Sequence, residues 1–186
     1  GQYYVASGQT QQGERYGEGE CASGFPRCTH PEMLFINDKP LVHVPSKSQV
    51  ATGKFYFDYA ADKIYIVDDP TGKKVETTVA PFAFGGNASN VLIQGLIIEK
   101  YASPIQRAAI QGSGVGWIVQ NNEIRMNYGI GAFVSTNGKI LNNYVHNNGE
   151  IGLAAVGNDI LIEGNELASN GFFSGIDVLP AYKWQT

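Results

Sequence analysis

Charge is scarce in this sequence. Only 16% of its residues are Asp, Glu, Lys or Arg, and the formal net charge is −4. Surface helices normally carry many such residues, so a mainly helical protein is disfavoured. The acidic balance and the lack of a basic cluster argue against a nucleic-acid partner bound through its phosphates. No apolar run nears the ~20 residues of a membrane-spanning helix. The start, "GQYYVASGQTQQGERYGEGE", lacks a signal peptide's apolar core, as a processed or shortened start would. Cysteine is equally sparse, with Cys21 and Cys28 alone. A paired zinc site would want tighter spacing and further ligands. The intervening "ASGFPR" can loop to let a disulfide close, which fits an oxidising compartment. Two free thiols in a cytosolic chain is the alternative.

What the chain does have is glycine, 23 residues of it, and short β-like runs. Residues 1–32 read as a loose Gly- and Gln-rich lead-in. Residues 33–85 read as a β-hairpin region leading into a first coil. There "MLFINDKPLVHV" has apolar arms around Asn37-Asp38, and "KFYFDYAADKIYIVDD" has alternating arms around "YAAD". "PTGKKVETTV" adds a turn and a further strand.

Residues 86–186 are a repeat. Aligning "VLIQGLIIEKY", "WIVQNNEIRMN", "KILNNYVHN" and "ILIEGNELASN" puts Leu96, Asn122, Asn143 and Asn165 at one position. Two residues on come Ile98, Ile124, Val145 and Leu167. Five residues on come Tyr101, Asn127, Asn148 and Asn170. Eleven of the fourteen asparagines follow Val119, so the enrichment belongs to the repeat. A period near 22 with short apolar runs marks a stacked solenoid, and the leucine consensus of leucine-rich repeats is absent. In a parallel β-helix, successive coils sit at the ~4.8 Å strand spacing, so an inward Asn at a bend can bond the Asn above and below it. Asn122, Asn143 and Asn165 are expected to form one such ladder, with Asn127, Asn148 and Asn170 at the next bend.

The run from Cys28 to Trp184 resembles bacterial, largely uncharacterised proteins of the right-handed parallel β-helix, pectin-lyase-like superfamily. The residues carrying the likeness are the Cys-bearing lead-in, "PEMLFINDKPL", "GKFYFDYAADKIYIVDDPTGKKVE" and "GWIVQNNEIRMNYGIG". The resemblance implies an all-β solenoid in a secreted or cell-surface protein that acts on or binds a polysaccharide or oligosaccharide. Members continue for more coils, so further coils of the same chain are expected beyond Thr186.

In that superfamily the usual substrate cleft follows the strand after the second Asn bend. Simple alternation places Ile130, Ala132, Val134, Ile151, Leu153, Ile176 and Val178 inward. It leaves Gln111, Gly131, Phe133, Gly152, Ala154 and Asp177 on the cleft face. Glycoside hydrolysis needs two carboxyl groups flanking the bond. Asp177 and Glu150 are the candidates, and each is otherwise an ordinary solvated acid. Gln111, Phe133 and Lys183 are candidate substrate contacts. A lyase would need a base plus a cation, or calcium, at the uronate carboxylate. Arg107, Arg125 and Lys183 are available cations, but the constellations of polygalacturonases and pectate lyases are missing here, and Arg125 is expected on another, solvent-facing strand. His30 and His43 look isolated and His146 looks superficial, so no histidine metal set emerges. Trp117 and Trp184 suit sugar stacking or outer packing equally. A hydrolase is preferred to a lyase, with a non-catalytic adhesion or glycan-binding scaffold as the rival.

Overall fold

Both expected hairpins form, and each does so around the turn chemistry its sequence supplies. A computed structural model describes residues 2–9, 11–13, 21 and 24–171. Ahead of the solenoid lie β1 (Tyr4–Ser7), β2 (Leu34–Ile36), β3 (Lys39–Pro40), β4 (Val42–His43), β5 (Lys54–Asp58), β6 (Lys63–Ile66) and β7 (Val75–Thr77). Asn37 and Asp38, with φ of 49° and 61°, both take the left-handed conformation that a tight two-residue hairpin demands. β7 pairs with the other edge of β2, giving the order β3-β2-β7. The second hairpin, β5 with β6, gains β4 on one side and β1 on the other. Phe55, Phe57, Ile64 and Ile66 face Leu34 in a shared core.

The lead-in is more ordered than its composition suggests. Its "YVAS" segment covers the edge of β6, pairing Tyr4 with Ile66 and Ser7 with Lys63. An unpaired strand edge attracts such a segment because its backbone groups need partners. Cys21 and Cys28 are joined in a disulfide. Beyond it, Cys28, Met33 and Phe35 pack against Ile105 and Tyr128 of the solenoid.

Among the described residues, the chain from Phe84 forms a parallel β-solenoid of four coils, each with three short strands. The first coil holds β8 (Phe84–Gly86), β9 (Leu92–Gln94) and β10 (Ile97–Glu99). The second holds β11 (Ala108–Gly112), β12 (Ile118–Gln120) and β13 (Glu123–Arg125). The third holds β14 (Ile130–Val134), β15 (Lys139–Leu141) and β16 (Tyr144–His146). The fourth holds β17 (Leu153–Ala155), β18 (Leu161–Glu163) and β19 (Glu166–Ala168). Equivalent strands stack into three parallel sheets, β8-β11-β14-β17, β9-β12-β15-β18 and β10-β13-β16-β19. Ile93, Val119 and Ile140 stack in register inside the second sheet, as do Ile98, Ile124 and Val145 inside the third. Trp117 is also interior, its Nε1 donating to the Ala88 carbonyl at 2.6 Å, so it stacks on no external sugar.

Both asparagine ladders are present. Asn122 Nδ2 donates to Asn143 Oδ1 at 3.0 Å, and Asn143 Nδ2 to Asn165 Oδ1 at 2.9 Å. The same oxygens accept the backbone N–H of Asn122 and Asn143. Each Nδ2 also reaches a strand carbonyl of the preceding coil, at Ile93, Val119 and Ile140. Asn127, Asn148 and Asn170 repeat the pattern, with side-chain rungs of 3.0 and 2.9 Å. The residue before each rung is left-handed: Gly95, Asn121, Asn142 and Gly164 at one bend, Lys100, Met126, Asn147 and Ser169 at the other. That explains the doublets Asn121-Asn122 and Asn142-Asn143. The first member tolerates positive φ and the second supplies the rung.

Asn143→Leu strands the backbone N–H of Asn122 in a dry interior and removes one bond to the Val119 carbonyl. The loss should be about 1–3 kcal/mol and lower Tm by roughly 3–10 °C. Asn142→Gly, at the exposed left-handed position beside it, should leave Tm nearly unchanged. Equal melting of the two variants would contradict the load assigned to the ladder.

Candidate functional site

The outer face of the first sheet carries the candidate site, and its strand register decides which side chains share it. Gly85, Gln111, Phe133 and Ala154 stand opposite one another across β8, β11, β14 and β17. Gln111 and Phe133 therefore meet on one column, as the alternation of these strands implies. Gln111 Oε1 accepts the backbone N–H of Ala108 at 2.9 Å, which holds the amide down on the sheet. The Phe133 ring is half-buried against Ala108, Ile130 and Ile151, with Ala154 beside it.

Strict alternation fails at the start of these strands. Ile130 and Ile151 lie in the outer cluster with Phe133 and not in the interior. Gly131 and Gly152 face inward instead of lining the cleft. A Cβ on Gly131 would lie 2.9 Å from Val145 Cγ1 and 3.1 Å from Asn148 Nδ2, and one on Gly152 2.7 Å from Asn170 Nδ2. The cause is local. Gly131 and Ala132 both donate to the fourth coil, to the Ile151 and Gly152 carbonyls, so two consecutive residues turn to one side. Alternation resumes with Ala132 and Val134 inward and Phe133 outward. At these two positions a Cβ would collide with the second ladder, so glycine stands there.

Glu150 lies in the turn before β17, but it is covered, at 3% exposure. It reaches back past the third coil to accept the Gln106 N–H at 2.8 Å. Burial pushes its carboxyl up to about 7, overcoming the opposing effect of that hydrogen bond. Tyr128, also buried, feels the charge of both Glu150 and Glu32, and burial with these two carboxylates raises its hydroxyl above the usual range. Asp177 and Lys183, with Ile176, Val178 and Trp184, lie outside the described residues.

The remaining cations are placed elsewhere. Arg125 is on the outer face of the third sheet, bonded to Glu99 at 2.7 Å and Glu123 at 2.5 Å. His146 stacks on Tyr144 and lies 3.2 Å from the same Glu123 carboxylate. Arg107 is exposed in the turn before β11. Lys100 joins the solenoid to the hairpins through Asp38 and Glu76, whose carboxylates hold it protonated despite its burial. Among the described residues, no group of three or more His, Cys, Asp or Glu side chains could hold a metal ion, and no helix is long and apolar enough to cross a membrane.

Glu32 was not foreseen. Its buried carboxylate accepts the backbone N–H groups of Gln12 and Gly13 and the Tyr59 hydroxyl, fastening the lead-in to the hairpins. His30 and His43 are also not isolated, their rings meeting edge-on at 5.7 Å. Neither contact leaves a periodic trace in the sequence. Comparison with protein-family models, curated proteins and solved structures finds no match for this chain.

Because folding raises the Glu150 pKa, the folded protein holds this proton more tightly than the unfolded chain. The resulting stabilisation is complete below about pH 4.5 and lost as the pH rises through about 7, by on the order of 3 kcal/mol. Urea melts across this range should show wild type losing stability relative to Glu150→Gln as the pH rises. A pH-independent difference between the two would remove the assigned burial of the acid.

Proposed function

We propose that this chain is part of an exported, polysaccharide-active protein of the pectin-lyase-like right-handed β-helix superfamily, with the glycan lying along the first sheet. The supporting observation is the in-register outer column of Gly85, Gln111, Phe133 and Ala154. It is a flat strip, with one aromatic ring and one amide among small residues. A sugar stacks its C–H face on such a ring and exchanges hydrogen bonds with the amide. The Cys21–Cys28 disulfide supports export, since such bonds persist mainly in oxidising compartments.

In the catalytic form of this proposal, Glu150 and Asp177 are the carboxyl pair of a glycoside hydrolase and Lys183 is a substrate contact. A carboxyl raised to about 7 suits a general acid at neutral pH. A lyase would instead recruit a cation or calcium to neutralise a uronate, and Arg125 is already committed to two glutamates. The rival is a non-catalytic surface or adhesion scaffold. It is favoured by the cover over Glu150 and by the absence of any ionisable residue on the described column.

A panel of plant and bacterial polysaccharides, scored for binding and then for release of reducing ends, separates these. Phe133→Ala should weaken binding roughly 3–10-fold. Asp177→Asn should abolish turnover with an unchanged melting curve, because an amide cannot carry the proton. Binding without turnover in wild type leaves the scaffold, and no bound polymer removes both forms.

A further inference from the structure

A second ring stands beside the outer column of the first sheet. Phe82, just ahead of β8, is 37% exposed. A Cβ on Gly85 would lie 3.8 Å from the Cβ and Cγ of Phe82, and 3.8 Å from the Gln111 Cβ. Phe82 therefore covers the first-coil place that Gly85 leaves without a side chain. Gln111 follows in the second coil and Phe133 in the third. The strip reads ring, amide, ring, with one group per coil. At ~4.8 Å per coil, the two rings are ~10 Å apart along the solenoid axis.

The middle group is fixed in direction. Gln111 Oε1 accepts from Ala108, and Nε2 has no partner among the described residues, so its hydrogens are left for a ligand. One exposed aromatic ring needs no special explanation. Two rings, set one coil to either side of a free amide, fit a ligand that itself repeats.

The spacing selects among glycans. In an equatorially linked β-1,4 chain each pyranose advances by close to one coil spacing. Such a chain is a flat ribbon in which alternate sugars present the same face. Laid along the solenoid axis, it puts one sugar on Phe82, the next over Gln111 and the third on Phe133, face to ring. An α-1,4-linked glucan, with its axial bond, coils away from a straight strip. No charge stands in the column, and an acidic chain would depend on Arg107, exposed in the turn before β11.

We infer that the first sheet binds a neutral β-1,4-linked glycan through three consecutive sugars, the outer two stacked on Phe82 and Phe133 and the middle one bonded by Gln111. This rests on the glycan reading above and narrows it to a linkage and a length. Calorimetric titration with β-1,4 gluco-, manno- and xylo-oligosaccharides of increasing length, beside α-1,4 gluco-oligosaccharides and oligogalacturonates, provides the test. In at least one β-1,4 series the trimer, the first to reach both rings, should bind roughly 3–10-fold tighter than the dimer. Phe82→Ala and Phe133→Ala should each bring the trimer close to the dimer's affinity. Leu92→Ala, which trims an exposed side chain of the second sheet, and Arg107→Gln should leave the trimer as it is. A dimer-to-trimer step that survives Phe82→Ala, or an equal step in the α-1,4 series, would overturn the inference. So would binding of oligogalacturonates alone, weakened by Phe133→Ala, although the glycan reading would then stand. No binding in any series or by any polysaccharide of the panel removes both.

Discussion

At each bend of the stack one backbone N–H finds no carbonyl in the neighbouring coil, and the asparagine rungs meet that constraint. Strand groups and most bend residues pair with the coils above and below, but the N–H at each rung position is met by an asparagine oxygen instead. A side-chain amide has the same donor and acceptor as a peptide group and repeats at the strand spacing. Asn143 shows the economy of this: one residue bonds Asn122 twice, Asn165 twice, and the Val119 carbonyl. The apolar stacks of Ile93, Val119 and Ile140 can remain dry only because the bends beside them are satisfied.

Rigid bends also decide where the coils are free to vary. Five residues separate the two rung positions in every coil, at 122 and 127, 143 and 148, and 165 and 170. Differences in coil length fall instead between the second rung and the next second-sheet strand. The longest such stretch, after Tyr101, carries Ile105 into contact with Cys28 and Phe35 and offers the Gln106 N–H to Glu150. Extra residues in an otherwise uniform repeat thus became the anchor for the lead-in. Glu32, on the other side of that junction, completes the attachment by accepting three hydrogen bonds.

This division explains what was readable from residues alone. Rungs and core stacks recur with the coil period, so their alignment could be read directly. The Asn37-Asp38 turn was legible because few residues accept two consecutive positive φ values. The inward turn of Gly131 and Gly152 was not, because it arises from crowding by Asn148 and Asn170, which only the stacked coils bring near. The same holds for Glu150. Its place beside the first sheet follows from the repeat, but its burial depends on tertiary contacts that the repeat does not encode. The packing of His43 against Phe55 and His30 was missed for a related reason: a histidine in a two-residue strand has no pattern to stand out from.

The outer faces differ in a way that bears on ligand chemistry. On the third sheet, Glu99, Glu123, Arg125 and His146 answer one another across neighbouring coils, so part of its charge is met internally. Such half-exposed pairs add little stability, but they leave few charges free to recruit an ionic ligand. The described column on the first sheet has no charge to neutralise. A polyanion would find no counter-charge along that column, whereas a neutral sugar needs only a flat apolar patch and an amide. Phe133 also packs on Ile130 and Ile151, and Gln111 meets the Ala108 N–H, so both side chains serve the fold as well as the face they present. What they present is an apolar ring and an amide, which suit an uncharged glycan better than an acidic one.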